Sequence, residues 1–463
     1  MAGRAAPAEL VARFTLSATA GARSLLTLND FHTWWEGRSR EGRFAVDRLA
    51  IADLEGWRIR DDTHDLVHES GRFFSIEGLR YRSDSGGEHV QPIINQPEVG
   101  ILGILVKEFD GVLHCLMQAK MEPGNVNTLQ LSPTVQATRS NFTRVHRGKT
   151  PTYLEYFHGP RRGRVLVDVL QSEQGVWFWQ KFNRNMVVEV TEDVPLHEDY
   201  CWLTLEQVHG LLKVENLMNM DARTVLSCVP VDRPAGVAAA DSFTAALLRS
   251  YDPALPAVHQ QSEILSWFSE RKAQCDWHAR RVPLAEIEGW KWGSHELSGG
   301  DEAAFRIVGV RVKAVTREVT SWTQPLLEPT GHGLAAFVAK PIDGVLHLLV
   351  QARHEPGLKN IVEMAPTVQL PRVAGSGPAP FADLVRSAPA HRRRFDTLLS
   401  EEGGRFLNGL TRYQVIEVGE EFPERVPPEF CWMTVQQVMR LLEHSHYLNI
   451  EARTLLACVH SLW

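Results

Sequence analysis

One feature limits what this chain can fold into more than any other: the sequence contains itself twice. Asp110 to Gln136 reads DGVLHCLMQAKMEPGNVNTLQLSPTVQ, and Asp343 to Gln369 reads DGVLHLLVQARHEPGLKNIVEMAPTVQ; 16 of these 27 positions are identical without a gap. The match recurs elsewhere. Glu55-Gly56-Trp57 pairs with Glu288-Gly289-Trp290, the run from Cys201 to Leu212 with Cys431 to Leu442, and Asp221 to Val229 with Glu451 to Val459. A period near 230 residues is too long for a solenoid and implies two similar domains, each large enough to have its own core. The expected boundaries are a frayed or weakly helical tail over 1–24, a first repeat over 25–232, a linker with a short helix near Ala239–Arg249 over 233–259, and a second repeat over 260–463.

Local patterning fills in each repeat. Ile101–Phe109 and Val112–Ala119 are β-rich runs joined by Asp110-Gly111, a strong two-residue hairpin signal, and the turn returns at Asp343-Gly344. Thr204 with Gln207, and Thr434 with Gln437, fit a helix capping box; Val208, Leu211 and Leu212 then form an apolar helical stripe. Strands mixed with helices around a central hairpin predict an α+β domain, present twice.

Composition and missing motifs narrow the function. A formal net charge of −7 argues against a general nucleic-acid binder, and no 20-residue apolar span suggests a membrane helix. Six cysteines without a Cys-x-x-Cys pair suit reduced thiols in a cytoplasm. No Gly-x-Gly-x-x-Gly follows a strand, which disfavours a Rossmann-type dehydratase. Gly148-Lys149-Thr150 resembles the end of a P-loop, but Thr143 stands where the earlier glycine belongs. No His-Glu-x-x-His or Gly-x-Ser-x-Gly is present, and nothing in the histidine spacing asks for a metal.

Strand alternation places Leu113, Cys115, Met117 and Ala119 on one apolar face, and His114, Leu116, Gln118 and Lys120 on the other. Glu122 to Gly124 then turn the chain, followed by Asn125, Asn127 and Gln130. This polar cluster reads either as a pocket wall or as a solvated sheet face. His114, Gln118, Glu122, Asn127, Thr134 and Gln136 return as His347, Gln351, Glu355, Asn360, Thr367 and Gln369, whereas Lys120 becomes Arg353. The segment after Gln136 carries Arg144, His146 and Tyr153; the one after Gln369 is rich in Pro and Gly. That asymmetry predicts one working pocket and one degenerate copy. Trp177, Lys181 and Arg184 form an aromatic–basic stretch whose counterpart retains Arg412. Its aromatics suit base stacking or core filling, its cations a diphosphate. Trp34 and Trp35 present the same choice.

At these residues the sequence resembles the NDP-hexose 2,3-dehydratases of actinomycete antibiotic pathways. The motifs are FHTWWEGR from Phe31, EVGILGIL from Glu98, QAKMEPGN from Gln118, QLSPTVQAT from Gln130, YLEYF from Tyr153 and NRNMVVEV from Asn183. The resemblance implies tandem Nudix-hydrolase-like domains, usually in a homodimer; the sequence shows no Glu-rich Nudix box of the kind that holds a divalent metal. The resemblance further implies a dTDP-4-keto-6-deoxyhexose substrate, no metal or organic cofactor, and a separate 3-ketoreductase acting on a labile product; a metal-dependent Nudix-type nucleotide-sugar hydrolase and a non-catalytic nucleotide-sugar binder are the alternatives. Lys120, Glu122, His146 and Tyr153 are the ionisable residues first in line for proton transfer. Trp34, Trp35, His114, Gln118, Asn125, Asn127, Gln130, Thr134, Gln136, Arg144, Trp177, Lys181 and Arg184 are the candidates for holding the substrate. Gln351, Arg353, Asn360, Thr367, Gln369 and Arg412 outline the second pocket.

Overall fold

A computed structural model describes residues 7–42, 44–83, 86–138, 151–160, 162–300, 303–314, 320–371 and 379–463. The fold is α+β, with strands predominating over helices. Two seven-stranded sheets share one topology. In the first, Arg164–Ser172, Phe182–Val190, Gly100–Phe109, Val112–Met121 and Tyr200–Thr204 lie in that order, with Leu129–Ser132 and Val135–Ala137 added at the centre. In the second, Arg393–Ser400, Leu410–Glu417, Gly333–Ile342, Val345–His354 and Phe430–Thr434 repeat the arrangement, with Val362–Pro366 and Val368–Leu370. One pairing in each sheet is parallel: Phe182–Val190 with Gly100–Phe109, and Leu410–Glu417 with Gly333–Ile342.

The hairpins form as expected. Asp110 and Gly111 have φ of 48° and 77°, and Asp343 and Gly344 have 50° and 76°. Two successive left-handed residues give a turn whose twist matches that of the flanking strands, which is why Asp-Gly is favoured there. Both capping boxes also form, with Gln207 N–H donating to Thr204 Oγ1 (3.3 Å) and Gln437 N–H to Thr434 Oγ1 (3.2 Å).

Three expectations about organisation are corrected. The N-terminal segment contains a packed helix, Ala8–Ser17, with Leu10 and Phe14 buried. Ser17 Oγ donates to Leu113 O (2.5 Å) and accepts from Leu205 N (2.9 Å). The expected linker helix, Ser242–Arg249, makes the equivalent contact: Ser250 Oγ donates to Leu346 O (2.6 Å) and accepts from Val435 N (2.8 Å). Both segments are therefore parts of the repeating unit.

The halves also share their main core, although each keeps a smaller apolar cluster of its own. The main apolar cluster runs from Leu102, Met117 and Val225 of the first half into Phe337, Leu399 and Leu455 of the second. The halves exchange strands as well. Phe44–Leu49 pairs with Phe305–Ala314, while His278–Val282 pairs with Ser75–Arg82. Buried arginines of the repeated Ala-Arg-Thr motif complete the reciprocal ties. Arg223 donates to Met218 O (2.6 Å) and Ser400 O (2.6 Å), and Arg453 to Leu448 O (2.7 Å) and Ser172 O (2.5 Å). The physical reason is that an edge strand and the inner sheet face of each half are completed by the other half, so the main core crosses the boundary that the sequence marks.

Candidate active site

The first sheet opens onto a cavity of about 460 Å³, within the range of small-molecule sites. Lys120 is the penultimate residue of the Val112–Met121 strand and Glu122 begins the turn after it; Gln136 comes from Val135–Ala137, and Lys181 immediately precedes Phe182–Val190. Asp221 enters from the helix Met220–Leu226. The second half supplies Ser321 to Gln324 from the strand Ser321–Pro329, together with Glu402, Gly404 and Arg405. Aromatic side chains Trp57, Phe73, Phe74 and Trp322, with His68, line the same space.

The polar groups are tied together. Lys120 Nζ lies 3.2 Å from Glu122 Oε1, which also accepts from Gln136 Nε2 (2.8 Å). Asn219 Nδ2 donates to Gln136 Oε1 (3.3 Å). Lys181 Nζ donates to Glu98 O and to Asn183 Oδ1 (3.0 Å), and Asn183 Nδ2 donates to Glu173 Oε1 (2.6 Å). Arg405 lies with its guanidinium 4.4 Å from the Phe74 ring centroid and donates from Nε to Gln96 Oε1 (3.0 Å). Burial, reinforced by neighbouring carboxylates, pushes Asp221 well above the ordinary range and Glu173 up to about 7; it also raises Glu402. Burial pushes Lys181 down, opposed by Glu173 and Glu402. The chemistry available is proton transfer between groups whose affinities have been displaced toward neutrality, next to fixed cations.

The second sheet carries the same turn. Gln369 Nε2 donates to Glu355 Oε1 (2.8 Å), Arg353 Nε reaches the same oxygen at 3.3 Å, and Asn449 Nδ2 donates to Gln369 Oε1 (2.7 Å). Yet its cavity measures about 20 Å³. The reason lies in the crossed loops. The loop after Ser172 reaches the second sheet, and the loop after Ser400 reaches the first. In matched register, Trp177 falls where Arg405 falls. Trp177 lines the small cavity with its ring 4.6 Å from Phe406, and position 181, a lysine in the first half, is Gly409 in the second. An indole thus lines the small cavity at the position from which Arg405 lines the large one.

The sequence model of the family described as NDP-hexose 2,3-dehydratase matches residues 28–229 and 261–459. The chain belongs to this family. Relatives named dTDP-4-dehydro-6-deoxy-alpha-D-glucopyranose 2,3-dehydratase bear out the match. One from Saccharopolyspora spinosa is 50% identical, covering 97% of this chain and 95% of the relative. One from Amycolatopsis orientalis is 46% identical (97% and 93%), and one from Streptomyces violaceoruber 47% identical (93% and 97%).

In this member of the NDP-hexose 2,3-dehydratase family, the structure brings together only some of the candidates read from the sequence. Lys120, Glu122, Gln136 and Lys181 share the cavity. Tyr153 does not: its hydroxyl donates to Pro195 O (2.5 Å) and accepts from His197 N (3.2 Å), within a separate apolar cluster containing Leu105, Leu116 and Trp202. Its left-handed backbone position before a short helical turn recurs at Phe381, so the segment is not peculiar to the first half. His146 and Arg144 lie outside the described residues.

Other candidates are taken up by the fold. Fully buried His114 accepts the Leu25 N–H at Nε2 (3.2 Å), as His347 accepts that of Val258 (3.2 Å). Thr134 Oγ1 donates to Leu116 O (2.5 Å) and accepts from Leu105 N (2.8 Å), stitching strands together; Thr367 does the same between Leu349 and Val338. Gln130 accepts from Ser400 Oγ (2.7 Å) across the halves and donates to exposed Asn127 (3.0 Å). Asn125 is buried with Nδ2 donating to Thr128 O (3.3 Å). Asn360 is exposed, and half-buried Gln118 and Gln351 lie outside both cavity linings. Trp34 Nε1 donates to Glu198 O (2.8 Å), as Trp267 does to Pro428 O (2.8 Å), and Trp35 stacks on Phe31. Arg184 and Arg412 are held by Asp168 and Asp396 at 2.6 Å, away from the cavities. Trp177 is core filling.

Asp221, Glu402, Arg405 and the aromatic wall were not among the sequence candidates. The repeated Glu-Gly-Trp motif and the Asp221/Glu451 pair were visible as repeats, but nothing in the spacing marks them as facing a cavity.

Proposed function

We propose that the chain removes water across carbons 2 and 3 of dTDP-4-keto-6-deoxy-D-glucose, giving a dTDP-3,4-diketo-2,6-dideoxyhexose. The observation that supports this most is the union, in one cavity, of the Lys120–Glu122–Gln136 cluster with aromatic side chains able to stack on a base and with Lys181 and Arg405 able to meet a diphosphate. The ketone at carbon 4 acidifies the carbon-3 proton. Lys120 and Glu122 between them supply the base and a cation for the enolate oxygen, and elimination of the carbon-2 hydroxyl follows. The two seven-stranded sheets fit a tandem Nudix-like ancestry with the second pocket degenerate. The reading extends to a homodimer in the cytoplasm, serving deoxysugar biosynthesis for a glycosylated natural product, with a separate ketoreductase consuming the diketone.

Incubation with dTDP-4-keto-6-deoxyglucose and a coupled 3-ketoreductase, followed by mass analysis, tests the reaction. Loss of one water from the intact nucleotide sugar is expected, undiminished by EDTA. Release of a sugar phosphate or a nucleoside monophosphate, abolished by EDTA, would replace the proposal with metal-dependent hydrolysis.

A further inference from the structure

Elimination needs two proton transfers, and the Lys120–Glu122 pair accounts for one of them. The carbon-2 oxygen is a poor leaving group unless it is protonated as its bond breaks. Asp221 offers a second, separate group. It reaches the cavity from the helix Met220–Leu226, an element distinct from the strand that carries Lys120. Its side chain is 3% exposed, and its Oδ1 makes no hydrogen bond among the described residues. A buried carboxyl oxygen without a partner in a cavity wall is costly in a purely structural role, and suits a group that meets its partner when a ligand arrives.

We infer that Asp221 is the proton donor to the departing carbon-2 hydroxyl. This rests on the dehydratase reading above. The charged groups that act on Asp221 are the carboxyls of Glu402, Glu173 and Glu122 and the cations of Lys120, Lys181 and Arg405. Burial and the three carboxyls favour its neutral, proton-carrying form, against the cations.

The step balances. The base takes the carbon-3 proton, and that electron pair becomes the enolate across carbons 3 and 4. Collapse of the enolate restores the carbon-4 carbonyl, forms the bond between carbons 2 and 3 as a double bond, and breaks the carbon-2–oxygen bond. The oxygen takes the Asp221 proton and leaves as water. The 3-hydroxy enone then tautomerises to the diketone, and the proton removed from carbon 3 restores Asp221 through solvent.

The test starts with the wild-type protein and dTDP-4-keto-6-deoxyglucose in deuterated solvent. If no water is lost, the dehydratase reading itself fails. If water is lost, Asp221→Asn decides the present inference. Expected are turnover reduced about 10²–10⁴-fold, binding of dTDP within about threefold of wild type, and continued exchange of the carbon-3 proton. Asp221→Glu, the residue type at the equivalent position 451, should recover part of the turnover. Near-normal turnover in Asp221→Asn overturns the assignment, as does joint loss of exchange and turnover in a folded protein, which would make Asp221 the base. Should Asp221→Asn fail to fold, the pH profile of kcat in Asp221→Glu serves instead. Its high-pH limb should move relative to wild type, and an unmoved limb overturns the inference.

Discussion

The two pockets of this chain share a framework and differ in what fills it. Each has a Glu at the strand-end turn, a Gln bonded to that Glu and an Asn bonded to that Gln, yet one encloses about 460 Å³ and the other about 20 Å³. The turn that follows the Glu in each copy also ties the halves together. Gly124 N–H donates to Gly403 O and Gly357 N–H to Gly175 O, both at 2.7 Å. A Cβ on Gly124 would lie 1.8 Å from Phe406 O, and one on Gly357 2.1 Å from Phe178 O, so these turns admit no side chain. Some repeated residues, Gly124 with Gly357 and Arg223 with Arg453, therefore belong to the joint, whereas His114 with His347 and Thr134 with Thr367 hold each half's own segments. Among the residues that separate the pockets are Lys120 against Arg353, Lys181 against Gly409, Arg405 against Trp177, Asp221 against Glu451 and Glu402 against Gln174.

Several changes would break or sharpen that contrast. Lys120→Met should lower turnover about 10²–10⁴-fold, whereas Arg353→Met should leave it within about threefold. Steady-state assay of both decides, and the reverse ranking would make the small pocket the working one. Trp177→Ala should cost about 3–5 kcal/mol of stability, read by denaturant unfolding, because it empties the space that the indole fills. Turnover should stay within about threefold, and activity gained by a second site would show that the indole alone blocks it.

Outside the pockets, the halves differ where His209 meets His460 in the core, positions occupied by Met439 and Pro230 in the opposite halves. Burial pushes His209 down to about 4 and His460 to about 3. The unfolded chain takes up these protons near pH 6.5, so the stabilisation is present above that pH and is lost as pH falls through the folded values. His209 alone should contribute about 3 kcal/mol of loss between pH 6.5 and 4. Urea unfolding across that range should show the fall, and His209→Leu should flatten it. Finally, Arg405→Met should lower kcat/KM about 10–100-fold, the range of one lost charge-assisted hydrogen bond. An unchanged value would remove Arg405 from the contrast.

Much of the local structure was legible in the sequence. Asp110-Gly111 and Thr204 with Gln207 act through their immediate neighbours, so their geometry follows from residue type. The site was half legible. Lys120, Glu122 and Gln136 sit within one repeat motif, and Lys181 sits in a conspicuous basic stretch. Trp322, Glu402 and Arg405 come from the other half, and periodicity does not reveal which loop covers which sheet. Trp34, His114 and Thr134 look like ligand residues by type, but they are absorbed by backbone groups of distant segments, which no local pattern displays.

The strand exchange also has a consequence on the ribosome. Phe44–Leu49 emerges early, yet Phe44 meets its partner only at Ala314, 270 residues later. At about 5–20 residues per second, that strand waits roughly 15–55 s with its hydrogen-bonding edge unmatched. An exposed edge recruits other edges, including those of neighbouring nascent chains. Slow translation or crowded expression should therefore reduce soluble yield, through early strands meeting strangers before their own second half exists.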